Sequence, residues 1–341
     1  MSKTTQSPLA FAKTAYETGQ KALPRYAHKF SRRDFTCAQL FAILALRKFF
    51  KTDYRGMIQY LCEWNELRET LELHDKVPHD TTPQKAAAKL FDDALIRKLL
   101  AQTLHVFYKG DIDDDDVAFV QRIDLAAADS TGFESHHCST YFTKRRKQGK
   151  NKGEDEPVSY HRFPKLGLAV DCENHLILAA LRKEGPTPDV AELLALMQQM
   201  VGNVVFDTLL ADAGYDSEMN HELLRERLQV ESLIPPNAGR PSDNLPRGKW
   251  RWLMATNFDE ETYAQRWQAE TVMFMLKARQ GAALTARSHA ARNAEMGLMA
   301  ITHNLMIVLR AGPGAFLQGR SDTVSFPSPF RFLEEVKICS G

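Results

Sequence analysis

Apolar residues recur at intervals of three or four through the first third of the chain, and this spacing predicts helices. The first helix is expected to begin at Ser31, which can cap it. Further helices are expected near Asp53 and Thr82, where a capping residue precedes a new apolar series. Residues 1–24 show no such series. We therefore expect a flexible N-terminus, followed by an all-helical domain over residues 25–120.

The pattern changes after an acidic run at residues 111–116, which we interpret as a solvated linker because adjacent carboxylates repel one another. Short apolar runs now predict strands. The runs at residues 123–128 and 204–211 lead into Asp129 and Asp212, which we expect at the C-terminal ends of their strands. The other elements expected are strands at 134–142, 161–171, 175–182 and 230–234, and helices at 190–201, 217–228 and 290–309.

The order of these elements predicts an α/β fold, in which a mixed sheet is flanked by helices and preceded by the all-helical domain. We place the sheet domain at residues 121–310 and a tail of little pattern at residues 311–341. A length of 341 residues, with 44% hydrophobic and 26% charged residues, suits a globular protein of one large or two smaller domains.

The five cysteines are scattered and form no Cys-x-x-Cys pair, which is typical of a reducing compartment. The N-terminus has no apolar signal core, and every apolar run is far shorter than the roughly 20 residues of a membrane span. We therefore expect a cytoplasmic protein with no membrane partner.

The segment from Tyr263 to Lys277 contains no Gly or Pro, so it predicts one continuous helix. At about 100° per residue, a phenol, a guanidinium, a carboxylate and an amine fall within an arc of roughly 60°. These groups belong to Tyr263, Arg266, Glu270 and Lys277, and Trp267 lies beside them. A carboxylate flanked by cations and aromatic rings suits a metal-bound phosphodiester.

Two further carboxylates can join Glu270 of this helix. They belong to Asp129 and Asp212, which follow apolar strands. Mg²⁺ prefers oxygen ligands and is usually held by one or two carboxylates, with water and phosphate. Two such ions, about 3.5–4 Å apart, can activate a hydroxyl and stabilise a leaving oxygen. A single aspartate at a strand end is more often a turn or capping residue. The three together favour a two-metal site for phosphoryl transfer.

The net charge is only +1, from 44 basic and 43 acidic residues, but the basic residues are clustered. Such clusters indicate a polyanionic partner. Lys144, Arg145 and Arg146 belong to one cluster. They predict a loop that contacts DNA, although the acidic residues at 154–156 leave a solvated insert open.

A second basic cluster precedes the predicted catalytic helix, where Lys249 and Arg251 alternate with Trp250 and Trp252. Arginine stacking and phosphate contacts make this stretch a candidate for binding a DNA strand. The alternative is that the two tryptophans anchor the start of a helix.

Metal-binding side chains also occur at His136, His137 and Cys138. Adjacent residues on a strand point to opposite faces, and no fourth ligand is evident in the sequence, so we do not expect zinc there.

The chain resembles the insertion-sequence DDE transposases, a bacterial and archaeal group with an RNase H-like catalytic core. The helix segment matches their signature Tyr-x2-Arg-x3-Glu-x6-Lys. Their two aspartate motifs resemble Asp129-Ser130-Thr131 and Leu210-Ala211-Asp212-Ala213-Gly214-Tyr215-Asp216. The likeness covers roughly residues 25–310. Some members carry a large β-rich insertion before the glutamate, and the short interval between Asp212 and Glu270 indicates a compact core without it.

The resemblance implies that the three carboxylates bind two Mg²⁺ or Mn²⁺ ions. Tyr263 and Arg266 would then hold DNA phosphates near the cleaved end, and Lys277 would contact the backbone further along. Trp267 would stack on a flipped base, although a core position stays open. Asp216 is expected to cap the helix that begins at Ser217. The N-terminal helices would recognise the inverted repeats at the ends of the element.

The expected function is therefore that of a DNA transposase with an RNase H-like domain. It would bind double-stranded DNA as a homodimer, at transposon ends and at the target, in the cytoplasm and nucleoid of a prokaryote. Two alternatives stay open. One is a metal-dependent nuclease on the same scaffold that transfers no strands, and the other is a domesticated DNA-binding protein that has lost the chemistry.

Overall fold

The computed structural model describes residues 7–109, 121–135, 143–146, 157–160, 162–200, 202–237 and 245–311. The helices are α1 (Pro8–Ala22), α2 (Cys37–Phe49), α3 (Tyr54–Glu63), α4 (Asn65–Thr70), α5 (Thr81–Leu90), α6 (Asp93–Lys109), α7 (Leu193–Met200), α8 (Glu218–Glu222), α9 (Lys249–Thr256), α10 (Glu260–Ala264), α11 (Trp267–Gln280) and α12 (His289–Ala311). The strands are β1 (Gln121–Gly132), β2 (Glu134–Ser135), β3 (Thr143–Arg146), β4 (Pro157–Tyr160), β5 (Phe163–Asp171), β6 (Ile177–Gly185), β7 (Val204–Ala211), β8 (Glu231–Leu233) and β9 (Ala283–Leu284).

Helix α1 corrects the expectation of a flexible N-terminus for residues 8–22. Ser7 caps the helix, since its Oγ accepts a hydrogen bond from the Ala10 N–H at 3.3 Å. Phe11 and Ala15 are fully buried, and α1 packs on α2 and α6. Four of its six buried residues are small (Ala12, Ala15, Thr18 and Gly19), so the apolar spacing along this segment is weak.

The starts of α2 and α3 depend on side-chain caps. Helix α2 begins after Thr36, later than the predicted Ser31, because Thr36 and Gln39 form a reciprocal capping box. The predicted start at Asp53 is confirmed, since its Oδ1 accepts a hydrogen bond from the Gly56 N–H at 2.7 Å.

The main sheet has five strands in the order β6-β5-β1-β7-β8. β1 is antiparallel to β5 and parallel to β7, and β7 is parallel to β8. The sequence prediction of an RNase H-like mixed sheet flanked by helices and preceded by helices is therefore confirmed. Strand β7 has the predicted bounds, 204–211.

Helices cover both faces of the sheet. Ala127 and Leu168 belong to a core that also includes α11, α12 and the N-terminal helices. The side chains of Ala126 and Ala128 point to the opposite face. They belong to a second core, which includes α7 and residues of the chain that follows α7. The first core joins the N-terminal helices directly to the sheet, and the domain boundary at residue 120 lies outside the described residues.

The predicted continuous helix from Tyr263 to Lys277 is wrong, because the segment divides into α10 and α11. Around the junction, the N–H groups of Gln265, Arg266 and Gln268 donate to carbonyls three residues back instead of four. This is the tighter 3₁₀ pattern, which changes the angle between successive side chains. Arg266 lies at this junction, directly before α11.

The prediction of a basic loop that begins at Lys144 is also partly wrong. β3, which carries Lys144, Arg145 and Arg146, pairs with β4 as an antiparallel two-stranded ribbon. The acidic run at residues 111–116, the residues at 136–138 and the tail at 312–341 lie outside the described residues. Among the helices that are described, none is long and apolar enough to cross a membrane.

Candidate active site

Two of the predicted carboxylates directly follow paired residues of two adjacent strands. β1 and β7 are parallel and paired up to Ala128 and Ala211, so Asp129 and Asp212 are the next residues on each. Neighbouring strands are about 4.8 Å apart. Asp212 leaves the sheet at this point, and its Oδ1 accepts a hydrogen bond from the Gly214 N–H at 2.9 Å.

Asp129 lies within its strand and not at the strand end that the sequence predicted. β1 continues to Gly132 because it still pairs with β5 after β7 has ended. The Asp129 side chain is therefore fixed by a rigid central strand. Its Oδ1 accepts a hydrogen bond from the Ser130 N–H at 2.7 Å.

The electrostatic surroundings of Asp129 favour its protonated form. Burial raises the pKa of its carboxyl to about 6, and the nearby charges of Asp212 and Glu270 add to this rise. The Ser130 N–H and the Arg266 guanidinium act in the opposite direction. The raised pKa therefore comes mainly from burial, and the neighbouring carboxylates make a smaller contribution.

Arg266 links the third carboxylate to the first. Its Nη2 donates to Oε1 of Glu270 at 2.5 Å, and its Nη1 donates to Oδ2 of Asp129 at 3.3 Å. Helix α11 is held against β1 and β5 by its buried residues Ala269, Val272 and Leu276. This packing keeps Glu270 at the edge of the site, where more than half of its side chain is exposed.

The donor set fits a divalent cation in chemistry, since three carboxylates offer hard oxygen ligands and an excess of negative charge. Within the described ranges, no three His, Cys, Asp or Glu side chains are close enough together to hold an ion as they stand. Arg266 already bonds to two of the three carboxylates. The guanidinium therefore occupies one oxygen of Asp129 and one oxygen of Glu270.

The other predicted residues of this segment differ in their surroundings. The Tyr263 ring packs edge-on against Phe258 at 4.9 Å, and Arg266 lies 5.9 Å from its centroid. Trp267 is 52% exposed, so it is not a core aromatic. Nζ of Lys277 lies 5.4 Å from the Phe133 ring centroid, and burial lowers the pKa of this amine.

Arg251 forms an ion pair with a buried carboxylate of the protein. Its Nε and Nη2 donate to the fully buried carboxylate of Asp216, with distances of 2.6 to 3.0 Å. This also corrects the expected role of Asp216, because Ser217 caps α8 with its own hydroxyl. Lys249 pairs with Glu226 at 3.4 Å. These ion pairs hold the start of α9 against the preceding segment, and DNA binding by Lys249 and Arg251 stays a prediction.

A cluster that the sequence analysis missed lies directly behind Asp129. The hydroxyl of Ser130 donates to Oδ1 of Asp189 at 2.8 Å. The buried ammonium of Lys165 donates to Asp189 at 2.5 Å and to Glu192 at 2.9 Å. The available signal was a single lysine inside the apolar strand β5, and its partners are 24 and 27 residues away in sequence.

The chain is similar to known transposases. A family model described as "Transposase DDE domain" matches residues 121–305, which is more than half of the chain. The solved structure of the piggyBac transposase synaptic complex with hairpin DNA aligns with a TM-score of 0.44 and 10% sequence identity. That alignment covers 98% of this chain and 80% of the other. By the family match, the chain belongs to the DDE transposases.

Proposed function

We propose that this transposase acts on an insertion sequence. It binds the terminal inverted repeats of its element, hydrolyses the phosphodiester at each end and joins the resulting 3′-OH to target DNA. The observation that best supports this proposal is the arrangement of the three carboxylates. Asp129 and Asp212 follow paired residues of adjacent parallel strands, and Arg266 connects Asp129 to Glu270.

Both chemical steps are in-line displacements at phosphorus. In the first, water attacks the phosphorus at the element end, the P–O3′ bond breaks, and a 3′-OH and a 5′-phosphate remain. In the second, that 3′ oxygen attacks a target phosphorus, and the target strand leaves as a new 3′-OH. Two Mg²⁺ or Mn²⁺ ions bound by Asp129, Asp212 and Glu270 would activate the attacking oxygen and stabilise the leaving one.

The remaining residues of the site position the DNA. Arg266, once released from its carboxylates, pairs with a phosphate beside the cleaved bond, and Tyr263 lies next to it. Lys277 contacts the backbone further along α11. Trp267 is exposed and free to stack on an unpaired base, a contact worth roughly 1–3 kcal/mol.

The rest of the chain supplies recognition and assembly. The helical domain at residues 25–120 reads the inverted repeats, and Lys144, Arg145 and Arg146 on the β3–β4 ribbon follow the backbone. The protein works as a homodimer on DNA in the prokaryotic cytoplasm, because two ends must be processed together.

The test uses a labelled duplex from the end of the element that encodes the protein, a target plasmid and Mg²⁺. A transposase gives a nicked or cut end and a labelled product joined to the plasmid. A nuclease without strand transfer gives the cut end alone, and a DNA-binding protein without chemistry gives neither. Cleaved ends that never join the plasmid would refute the strand-transfer part of the proposal.

A further inference from the structure

A cavity of about 530 Å³ lies between the N-terminal helices and the start of α12. It is lined by Arg47 and Tyr54 on one side and by Arg287, Ser288 and Glu295 on the other. This volume is within the range of small-ligand pockets, roughly 300–1,000 Å³. It lies apart from the three carboxylates, and none of the proposed catalytic residues lines it.

Arg47 is a buried cation without a hydrogen-bond partner on its Nε. Only 7% of the residue is exposed, and its guanidinium carbon lies 4.3 Å from the centroid of the Tyr54 ring. Among the described residues, none accepts a hydrogen bond from Nε. Protein atoms cover Nε, so an anion that enters the cavity would gain from the positive charge of the guanidinium and not from a hydrogen bond to Nε.

Glu295 lines the same cavity, but other donors already occupy its carboxylate. One oxygen forms a buried ion pair with Lys48 and accepts a hydrogen bond from the Thr285 hydroxyl. The other accepts from the N–H groups of Thr285 and Ala286, at 3.0 and 2.8 Å. Lys48 and Glu295 therefore neutralise each other's charge. The positive charge of Arg47 remains as the net charge of these three side chains.

The outer part of the cavity is also electropositive. Ser288 caps α12, with its Oγ accepting from the Ala291 N–H at 3.2 Å, so the N-terminal end of a 23-residue helix lies at the cavity. This end of a helix carries partial positive charge and attracts phosphate groups. Arg287, the residue before Ser288, is exposed and adds a second guanidinium.

We propose that this cavity is a phosphate-binding site, in which Arg47, Arg287 and the N-terminus of α12 hold one phosphate of the DNA backbone. The inference rests on the proposed function for the source of the phosphate, since a DNA-bound transposase presents many backbone phosphates to its surface. Arg287 and Ser288 are exposed, so a polymer can deliver the group from outside. The site would hold DNA at the interface between the N-terminal helices and the sheet domain.

The experiment compares the full-length wild type with Arg47→Gln, Arg287→Gln and a control, Arg97→Gln. Arg97 is exposed on α6 and does not line the cavity. Binding of a short fluorescent DNA duplex is measured by anisotropy over a range of salt concentrations, in buffer with EDTA. Losing one phosphate contact should reduce the slope of log K against log[salt] by about 0.9. Arg287→Gln is an exposed change, so it keeps the test valid if Arg47→Gln fails to fold.

We expect a reduced slope for both cavity variants and an unchanged slope for Arg97→Gln. Unchanged slopes in folded cavity variants would overturn the inference while leaving the proposed function intact. A second arm measures thermal stabilisation by inorganic phosphate. If phosphate stabilises the wild type more than the cavity variants while the DNA slopes stay equal, the site takes a free phosphate and the DNA source is wrong. The proposed function fails separately, if the wild type neither cleaves nor joins an element end.

Discussion

Nη2 of Arg266 lies 2.5 Å from Oε1 of Glu270, four residues away in sequence. Through its other amino group, the same guanidinium donates to Asp129. Arg266 thus binds two of the three carboxylates that we assign to the metal site, and its positive charge stands where the metal ion would supply one. Metal ions and Arg266 are therefore expected to compete for the same oxygens, until DNA offers the guanidinium a phosphate.

This competition predicts that Arg266→Gln binds Mn²⁺ more tightly than the wild type does, by on the order of tenfold, in the absence of DNA. The substitution removes a positive charge and frees both carboxylates. Titration of Mn²⁺ followed by electron paramagnetic resonance measures the affinity, with Arg97→Gln as a control of equal charge change. Equal or weaker binding by Arg266→Gln would show that the guanidinium does not block the site.

Arg251 should matter for stability more than for DNA binding. Arg251→Gln leaves the buried Asp216 carboxylate without its main cation. We expect a loss of about 2 kcal/mol in the free energy of unfolding, less than for a fully buried pair because the guanidinium is partly exposed. Urea unfolding measures the loss, and adding Asp216→Asn should recover part of it. Unchanged stability combined with weakened DNA affinity would instead restore the predicted DNA contact.

The cluster behind Asp129 predicts a larger loss. Lys165→Met leaves the carboxylates of Asp189 and the buried Glu192 without their shared ammonium. Breaking such a buried pair typically costs about 3–5 kcal/mol. Urea unfolding should show this loss for Lys165→Met, and a smaller one when Glu192→Gln is added. Additive effects of the two changes would mean that the pair is not coupled.

His303 should make the fold sensitive to acid. Burial lowers its pKa to about 4 in the folded protein, against an unfolded value of 6.5. Its neutral form is therefore favoured by folding, and the stability that this supplies is complete above about pH 6.5 and lost as the pH falls towards 4. The difference amounts to about 3 kcal/mol.

The check is the pH dependence of the free energy of unfolding for the wild type and His303→Gln. Glutamine can still donate to the His175 carbonyl, which accepts from Nε2 of His303 at 2.8 Å. The variant should lose less stability than the wild type between pH 6.5 and 4. Parallel curves over this interval would contradict the assignment.

Elements with strong local signals were predictable from the sequence. Strand β7 is a largely apolar run, and Asp53 is a side-chain cap, so both occur where the sequence places them. Helix α1 was missed because four of its six buried residues are small, so its apolar spacing is weak. The division between α10 and α11 has no Gly or Pro to mark it, and tertiary packing sets it instead.

The candidate site was predictable only in part. Asp129, Asp212 and Glu270 follow a recognisable spacing, and in the structure Asp129 and Asp212 directly follow paired residues of two adjacent strands. Arg266 and Glu270 have the i,i+4 spacing of a local helical pair. The ion pairs of Arg266 with Asp129, and of Arg251 with Asp216, depend instead on how separate elements pack. No local pattern encodes such pairings, and the same is true of Lys165 with Asp189 and Glu192.

The central claim is that Asp129, Asp212 and Glu270 together perform Mg²⁺-dependent strand cleavage. The most direct test compares cleavage of a labelled element end by the wild type, Glu270→Gln and Glu261→Gln, a matched change at an exposed position on α10. We predict that Glu270→Gln binds the end but gives no detectable cleavage, while Glu261→Gln cleaves like the wild type. Cleavage by Glu270→Gln at the wild-type rate would contradict the account.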